Sequence, residues 1–76
     1  MKMSLARLPV GIPATVISLS CDRSLVGRLH DFGLIPGTTL TARYRSPYGG
    51  VTALECRGAV IALRTKDLQG ILVQLP

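Results

Sequence analysis

Tryptophan is absent from this chain, and two tyrosines and one phenylalanine bring the aromatic content to only 4%. A surface that stacks on bases interleaves several aromatics with basic residues. This scarcity argues against nucleic acid as a partner, although Tyr44 and Tyr48 are the residues such a surface would use. Histidine occurs once, as His30 beside Asp31, and no serine or cysteine is placed by sequence to be its nucleophile. Catalysis needs such a constellation, so the chain reads as non-enzymatic. Among the metal-capable side chains Cys21, Asp22, His30, Asp31, Glu55 and Cys56 there is no Cys-x-x-Cys or His-x-x-x-His pair. No metal site or cofactor is therefore expected within one chain. Gly49-Gly50 does not feed a helix carrying a phosphate-binding lysine, so any nucleotide chemistry would belong to a partner.

Long apolar runs are also missing: none approaches the roughly 18 residues of a membrane-spanning helix. Lys2 and Arg7 ahead of an apolar stretch, with Cys21 beyond it, imitate a lipoprotein export signal. Pro9, Gly11, Pro13 and Thr15 break that stretch, and Ser18 stands where a lipobox wants leucine. A cytoplasmic location is expected, and there Cys21 and Cys56 stay free thiols packed as small hydrophobes. Acidic residues number four against nine lysines and arginines, giving a net charge of +5 and a pI near 10.0. That balance favours acidic partners, nucleic acid or an anionic membrane face. No run of five or six like charges occurs, but period two predicts Arg43 and Arg45 on one strand face.

What is present is a short, apolar chain. Its 76 residues are 47% hydrophobic, with a mean hydropathy of +0.40. That length suits one domain, residues 1–76, burying roughly 60% of its unfolded surface. Either a tightly filled barrel absorbs the apolar residues, or some remain exposed for a partner or a weak homo-oligomer.

The most specific stretch is Leu29-His30-Asp31-Phe32-Gly33-Leu34-Ile35-Pro36-Gly37. Leu25, Leu29 and Phe32 fall at i, i+4 and i+7, one face of a helix over residues 22–32, with Ser20 or Asp22 as N-cap. Gly33 stands where a left-handed residue ends the helix, and Leu34 packs back on the last turn. Pro36 and Gly37 then suit the two central positions of a type II turn that launches a strand over 38–46. Gly27 weakens the helix, and its presence suggests a close approach by another backbone.

Residues 1–9 read as a lead-in, followed by a strand over 14–19 with Val16 facing the core. After the turn, Leu40, Ala42 and Tyr44 alternate inward with Thr41, Arg43 and Arg45 outward. Pro47-Tyr48-Gly49-Gly50 closes that strand, and the next runs over 51–56. Arg57-Gly58 turns the chain into residues 59–63, which are apolar on both faces and so read as a central strand. Thr65 caps a single helical turn through Gln69, Gly70 reverses the chain, and residues 71–75 form the last strand. About five short strands, with one α-helix between the first and second, predict a mainly β fold closed as a small antiparallel barrel. A ferredoxin-like sandwich would need a second crossover helix.

This pattern resembles the FeoA family, small SH3-like barrels of bacterial ferrous iron uptake. The resemblance rests on Leu8, Gly11 and Val16, the Leu29 to Gly37 motif, and Ser46-Pro47-Tyr48-Gly49-Gly50. Arg57-Gly58, Ile61 to Arg64, Ile71 and Val73 extend it. Family members commonly carry a proline just after the tyrosine-glycine loop, where this chain has Val51. A similar barrel occurs as the C-terminal domain of DtxR-type metal-dependent repressors. The resemblance implies an accessory protein docking on the cytoplasmic nucleotide-binding portion of a FeoB-type ferrous iron permease and modulating its transport or GTPase activity. Contact candidates are Tyr48, Gly49, Gly50, Arg43, Arg45 and Arg57, whereas Leu29, Phe32, Gly33, Leu34, Pro36 and Gly37 are expected to hold the fold. Reversing the charge of Arg43 and Arg45 together is expected to weaken docking and leave folding intact.

Overall fold

The computed structural model describes all residues from Met1 to Pro76. Its six strands are β1 (Lys2–Ser4), β2 (Pro13–Leu19), β3 (Thr39–Arg45), β4 (Val51–Cys56), β5 (Ala59–Arg64) and β6 (Ile71–Gln74). One helix, α1 (Arg23–Asp31), lies between β2 and β3, and single 3-10 turns occupy Leu5–Arg7 and Thr65–Leu68. All pairings are antiparallel, in the order β1-β6-β2-β3-β4-β5. The sheet curls around one core of leucines and small aliphatics contributed by every element except β1, giving an SH3-like barrel. The predicted mainly β barrel with a single helix is what forms.

The sixth strand is β1, in the segment read as a lead-in. Three residues are too short to show alternation, and what makes them a strand is distant in sequence. Lys2, Met3 and Ser4 pair with Gln74, Val73 and Leu72. Leu75 N–H donates to the Met1 carbonyl at 2.8 Å, and Ser4 Oγ donates to the Gln69 carbonyl at 3.0 Å.

Helix α1 starts and stops by local chemistry. Asp22 is the N-cap: its Oδ1 accepts from Leu25 N–H at 2.9 Å and from Ser24 Oγ at 3.1 Å. These bonds hold its carboxyl below the usual carboxylate range, the Leu25 amide contributing most. At the other end Leu34 N–H donates to the Leu29 carbonyl at 2.8 Å and Gly33 N–H to the His30 carbonyl at 2.9 Å. This is the paired closure of a Schellman motif, with Gly33 at φ +85°. Ile35, Pro36, Gly37 and Thr38 form the turn, closed by Thr38 N–H to the Ile35 carbonyl at 3.0 Å, with Gly37 at φ +94°. Gly37 and Thr38 also exchange bonds with Val16 of β2, both 2.8 Å long, which fastens the turn to the sheet. The buried Thr38 hydroxyl donates to the Gly33 carbonyl at 2.9 Å, joining helix stop to turn.

Three sequence expectations fail here. Phe32 does not anchor the helix, because as C-cap it lies past the last buried turn and is 45% exposed; Leu25, Leu29 and Leu34 do the packing. No backbone approaches Gly27, whose missing Cβ would meet nothing within 4 Å. Thr65 caps no helical turn, since its hydroxyl is paired with that of Thr52 at 2.8 Å.

These contrasts predict opposite outcomes for two glycines. Gly27→Ala is expected to raise stability by up to about 1 kcal/mol, and Gly33→Ala to lower it by roughly 1–2 kcal/mol because φ +85° is costly for an L side chain. Denaturant melts of both variants check this, and shifts of the same sign would refute it.

Asp22 predicts a pH effect. A carboxyl lowered in the folded state stabilises above its unfolded pKa, and that contribution disappears as pH falls through the folded value. Asp22→Asn keeps a capping oxygen without the titration. Stability relative to this variant should therefore fall between neutral pH and about pH 3, as read from paired thermal melts.

Strand β5, expected to be central, is the sheet edge, with β4 its sole neighbour. Its apolar character is genuine, but Ala59, Val60 and Ala62 are exposed while Leu63 alone is buried. A run apolar on both faces therefore marks a strand without fixing its place in the sheet.

Candidate functional site

The β3–β4 hairpin collects most of the residues singled out for contact. Its loop is tied down from both sides. Ser46 N–H donates to the Val51 carbonyl at 2.9 Å and Gly49 N–H to the Ser46 carbonyl at 2.7 Å. Val51 N–H donates to Ser46 Oγ at 3.1 Å, and Thr65 N–H to the Gly50 carbonyl at 3.0 Å. Pro47 fixes its own φ, and Gly49 turns the chain back at φ +72°. Tyr48 at the tip is fully exposed, held out by an ordered turn. Val51 supplies an N–H that a proline at this position would lack, and with it closes the loop onto Ser46.

Below the tip, a bulge changes the pattern that period two predicted. Ala42 faces Leu54, but Tyr44, not Arg43, faces Ala53, leaving Arg43 as the extra residue. Side chains beyond Arg43 therefore switch faces. Tyr44, expected in the core, is 55% exposed on the outer face. Arg45, expected beside Arg43, turns inward. Its Nε donates to Thr52 Oγ1 at 3.0 Å, and its guanidinium reaches the Leu8 carbonyl at 2.9 Å and the Leu5 carbonyl at 3.5 Å. Arg43 remains outside, paired with Glu55. The expected two-arginine face is thus not formed, and Arg45 serves the fold.

Arg57 is exposed but stands apart from the hairpin tip, at the other end of β4. It occupies the β4–β5 turn at φ +54°, followed by Gly58 at φ +81°, the two left-handed positions of a tight hairpin. Its side chain lies over Gly33, with Cδ 3.6 Å from where a Cβ would stand. The remaining surface is Tyr48, Gly49 and Gly50 at the tip, with Tyr44, Val51 and the Arg43–Glu55 pair on the outer face. The exposure of Tyr44 carries no signal in the strand sequence, because the bulge arises from register against β4.

The reactive side chains are dispersed. No three His, Cys, Asp or Glu side chains gather where a metal ion would be held. Cys21 and Cys56 are free thiols. Partial burial pushes the Cys21 thiol up, helped by the negative charges of Asp22 and Asp67, so it stays protonated at neutral pH. No helix is long and apolar enough to cross a membrane.

Among curated proteins, none matches the sequence significantly. The chain is similar in structure to the FeoA protein from Chlorobium tepidum, with a TM-score of 0.91 and 30% identity over 96% of this chain and 70% of that one. It is similar to iron(II) transport protein A from Clostridium thermocellum, with a TM-score of 0.89 and 27% identity over 96% of this chain and 45% of that one. A manganese-dependent transcriptional repressor shares the fold at a TM-score of 0.88 and 20% identity, over 99% of this chain and 42% of the repressor. The model of the FeoA domain matches residues 3–75, and with the helix stop, turn and barrel described above this chain belongs to the FeoA family, linked to ferrous iron transport.

Proposed function

We propose that this protein is a non-enzymatic, cytoplasmic accessory of bacterial ferrous iron uptake, a single FeoA-like domain. It docks on the cytoplasmic nucleotide-binding portion of a FeoB-type permease and modulates its transport or GTPase activity. The observation that carries the reading is Tyr48, fully exposed on a loop whose backbone is pinned at Ser46, Gly49, Val51 and Gly50. An aromatic held out by a rigid turn offers contact area at little entropic cost, the property of an interface anchor. Tyr44 and Val51 extend this apolar surface, and the Arg43–Glu55 pair supplies a polar rim. Docking changes the permease through different affinity for two of its conformations.

Titration of the isolated permease domain with the wild type and with Tyr48→Ser, by calorimetry, tests this reading. The variant is expected to bind about tenfold more weakly or worse, with an unchanged melting temperature. Equal affinity for both proteins would remove the hairpin tip from the interface.

A further inference from the structure

We propose that a second copy of this chain adds to the sheet at β5, so that two β5 strands pair antiparallel about a two-fold axis at Ala62. The inference is independent of the permease reading and rests on the edge itself. Thr65 N–H donates to the Gly50 carbonyl, in register with Val51 opposite Arg64. Hydrogen-bonded pairs alternate along an antiparallel ladder, so Leu63, Ile61 and Ala59 turn their backbone groups toward β4. The amides and carbonyls of Val60, Ala62 and Arg64 therefore point away from the sheet. The β3–β4 hairpin gives the same phase: Ser46 bonds Val51, which leaves Thr52 directed to Leu63.

Edge strands are usually protected by a proline, an inward charge or a bulge. Residues 59–63 are Ala-Val-Ile-Ala-Leu, with none of these, and Val60 is 60% exposed. The α1 helix does not seal the edge, because a cleft of about 340 Å³ separates Ser24, Leu25 and Arg28 from Ala62, Leu63 and Arg64.

Self-pairing satisfies this edge in one full-length register. Ala62 meets Ala62 of the second copy, and Val60 meets Arg64 of the second copy on both sides of the axis, giving about six backbone hydrogen bonds. The charges agree with that register. Arg64 stands opposite Val60 of the second copy, so the two arginines do not face each other across the axis. Two short strands bury less than the roughly 1,200 Å² of a stable interface, so the dimer is weak and dissociates in dilute solution.

Sedimentation equilibrium from about 10 μM to about 1 mM, with amide exchange by NMR at both ends, tests the proposal. The wild type should move from monomer toward dimer. The Val60, Ala62 and Arg64 amides should gain protection by about tenfold, while Ile61, Leu63 and Thr65 are protected throughout. Ala62→Lys places two ammonium groups on the axis and should stay monomeric with a wild-type melt. Val10→Lys, an exposed site off the edge, should dimerise like the wild type and controls for added charge. A wild type that stays monomeric overturns the proposal and leaves the edge to a strand of another protein. Protection confined to other amides, or an Ala62→Lys protein that dimerises equally, also overturns it.

Discussion

Gly70→Ala should lower stability by about 3 kcal/mol or more and drop the melting temperature by roughly 15 °C or more. A Cβ at position 70 would stand 2.0 Å from the Ser20 carbonyl oxygen and 2.8 Å from its carbon. Both atoms are backbone, so no side chain can swing aside. Ser20 N–H also donates to the Gly70 carbonyl at 2.7 Å, tying the end of β2 to the start of β6. Relieving the clash separates these segments and loses that bond. Gly70 is not in the left-handed region, so the penalty is steric, unlike that at Gly33. A thermal melt by circular dichroism checks this, and a shift of only a few degrees would mean the two segments move apart freely.

Arg45→Ala is expected to cost about 2–3 kcal/mol, whereas Arg43→Ala should change stability by less than about 1 kcal/mol. Arg45 bonds Thr52 Oγ1 and the carbonyls of Leu8 and Leu5, bracing the first 3-10 turn against β3 and β4. Removing it leaves the carbonyl of the fully buried Leu8 without this donor, and strips Thr52 and the Leu5 carbonyl of one partner each, the Thr65 hydroxyl and the Leu8 N–H remaining to them. Arg43 has one exposed partner, Glu55. Reversing both charges at once therefore damages the fold through Arg45, contrary to the sequence expectation, and the permease test uses Tyr48 instead. Urea denaturation of the two single variants separates them; equal midpoints would refute the bracing role.

The parts legible in the sequence were those whose causes lie within a few residues. Asp22 caps α1 through an amide three residues on, and Gly33 ends it with bonds spanning five residues or fewer. Pro36 and Gly37 set their own turn, and Arg57-Gly58 theirs. The family followed from the same local grammar, since it is these turns that its members share. The exposure of Tyr48 was legible because a tyrosine between Pro47 and Gly49 has no strand to bury it.

What the sequence did not contain were facts of register. The bulge at Arg43 depends on how β3 meets β4, and it reversed Tyr44 and Arg45 together. β1 exists because β6 is there to pair with it, 68 to 72 residues away. The edge position of β5 depends on which strand finds which neighbour, and a strand's own residues do not record that. Gly70 was legible as a turn, but its close approach to Ser20 belongs to the curled sheet. Local dihedral preferences and capping chemistry thus determined the helix, its stop, the turns and the family. Strand pairing, a property of two segments at once, decided which face each side chain occupies, which arginine is structural and which edge is left open.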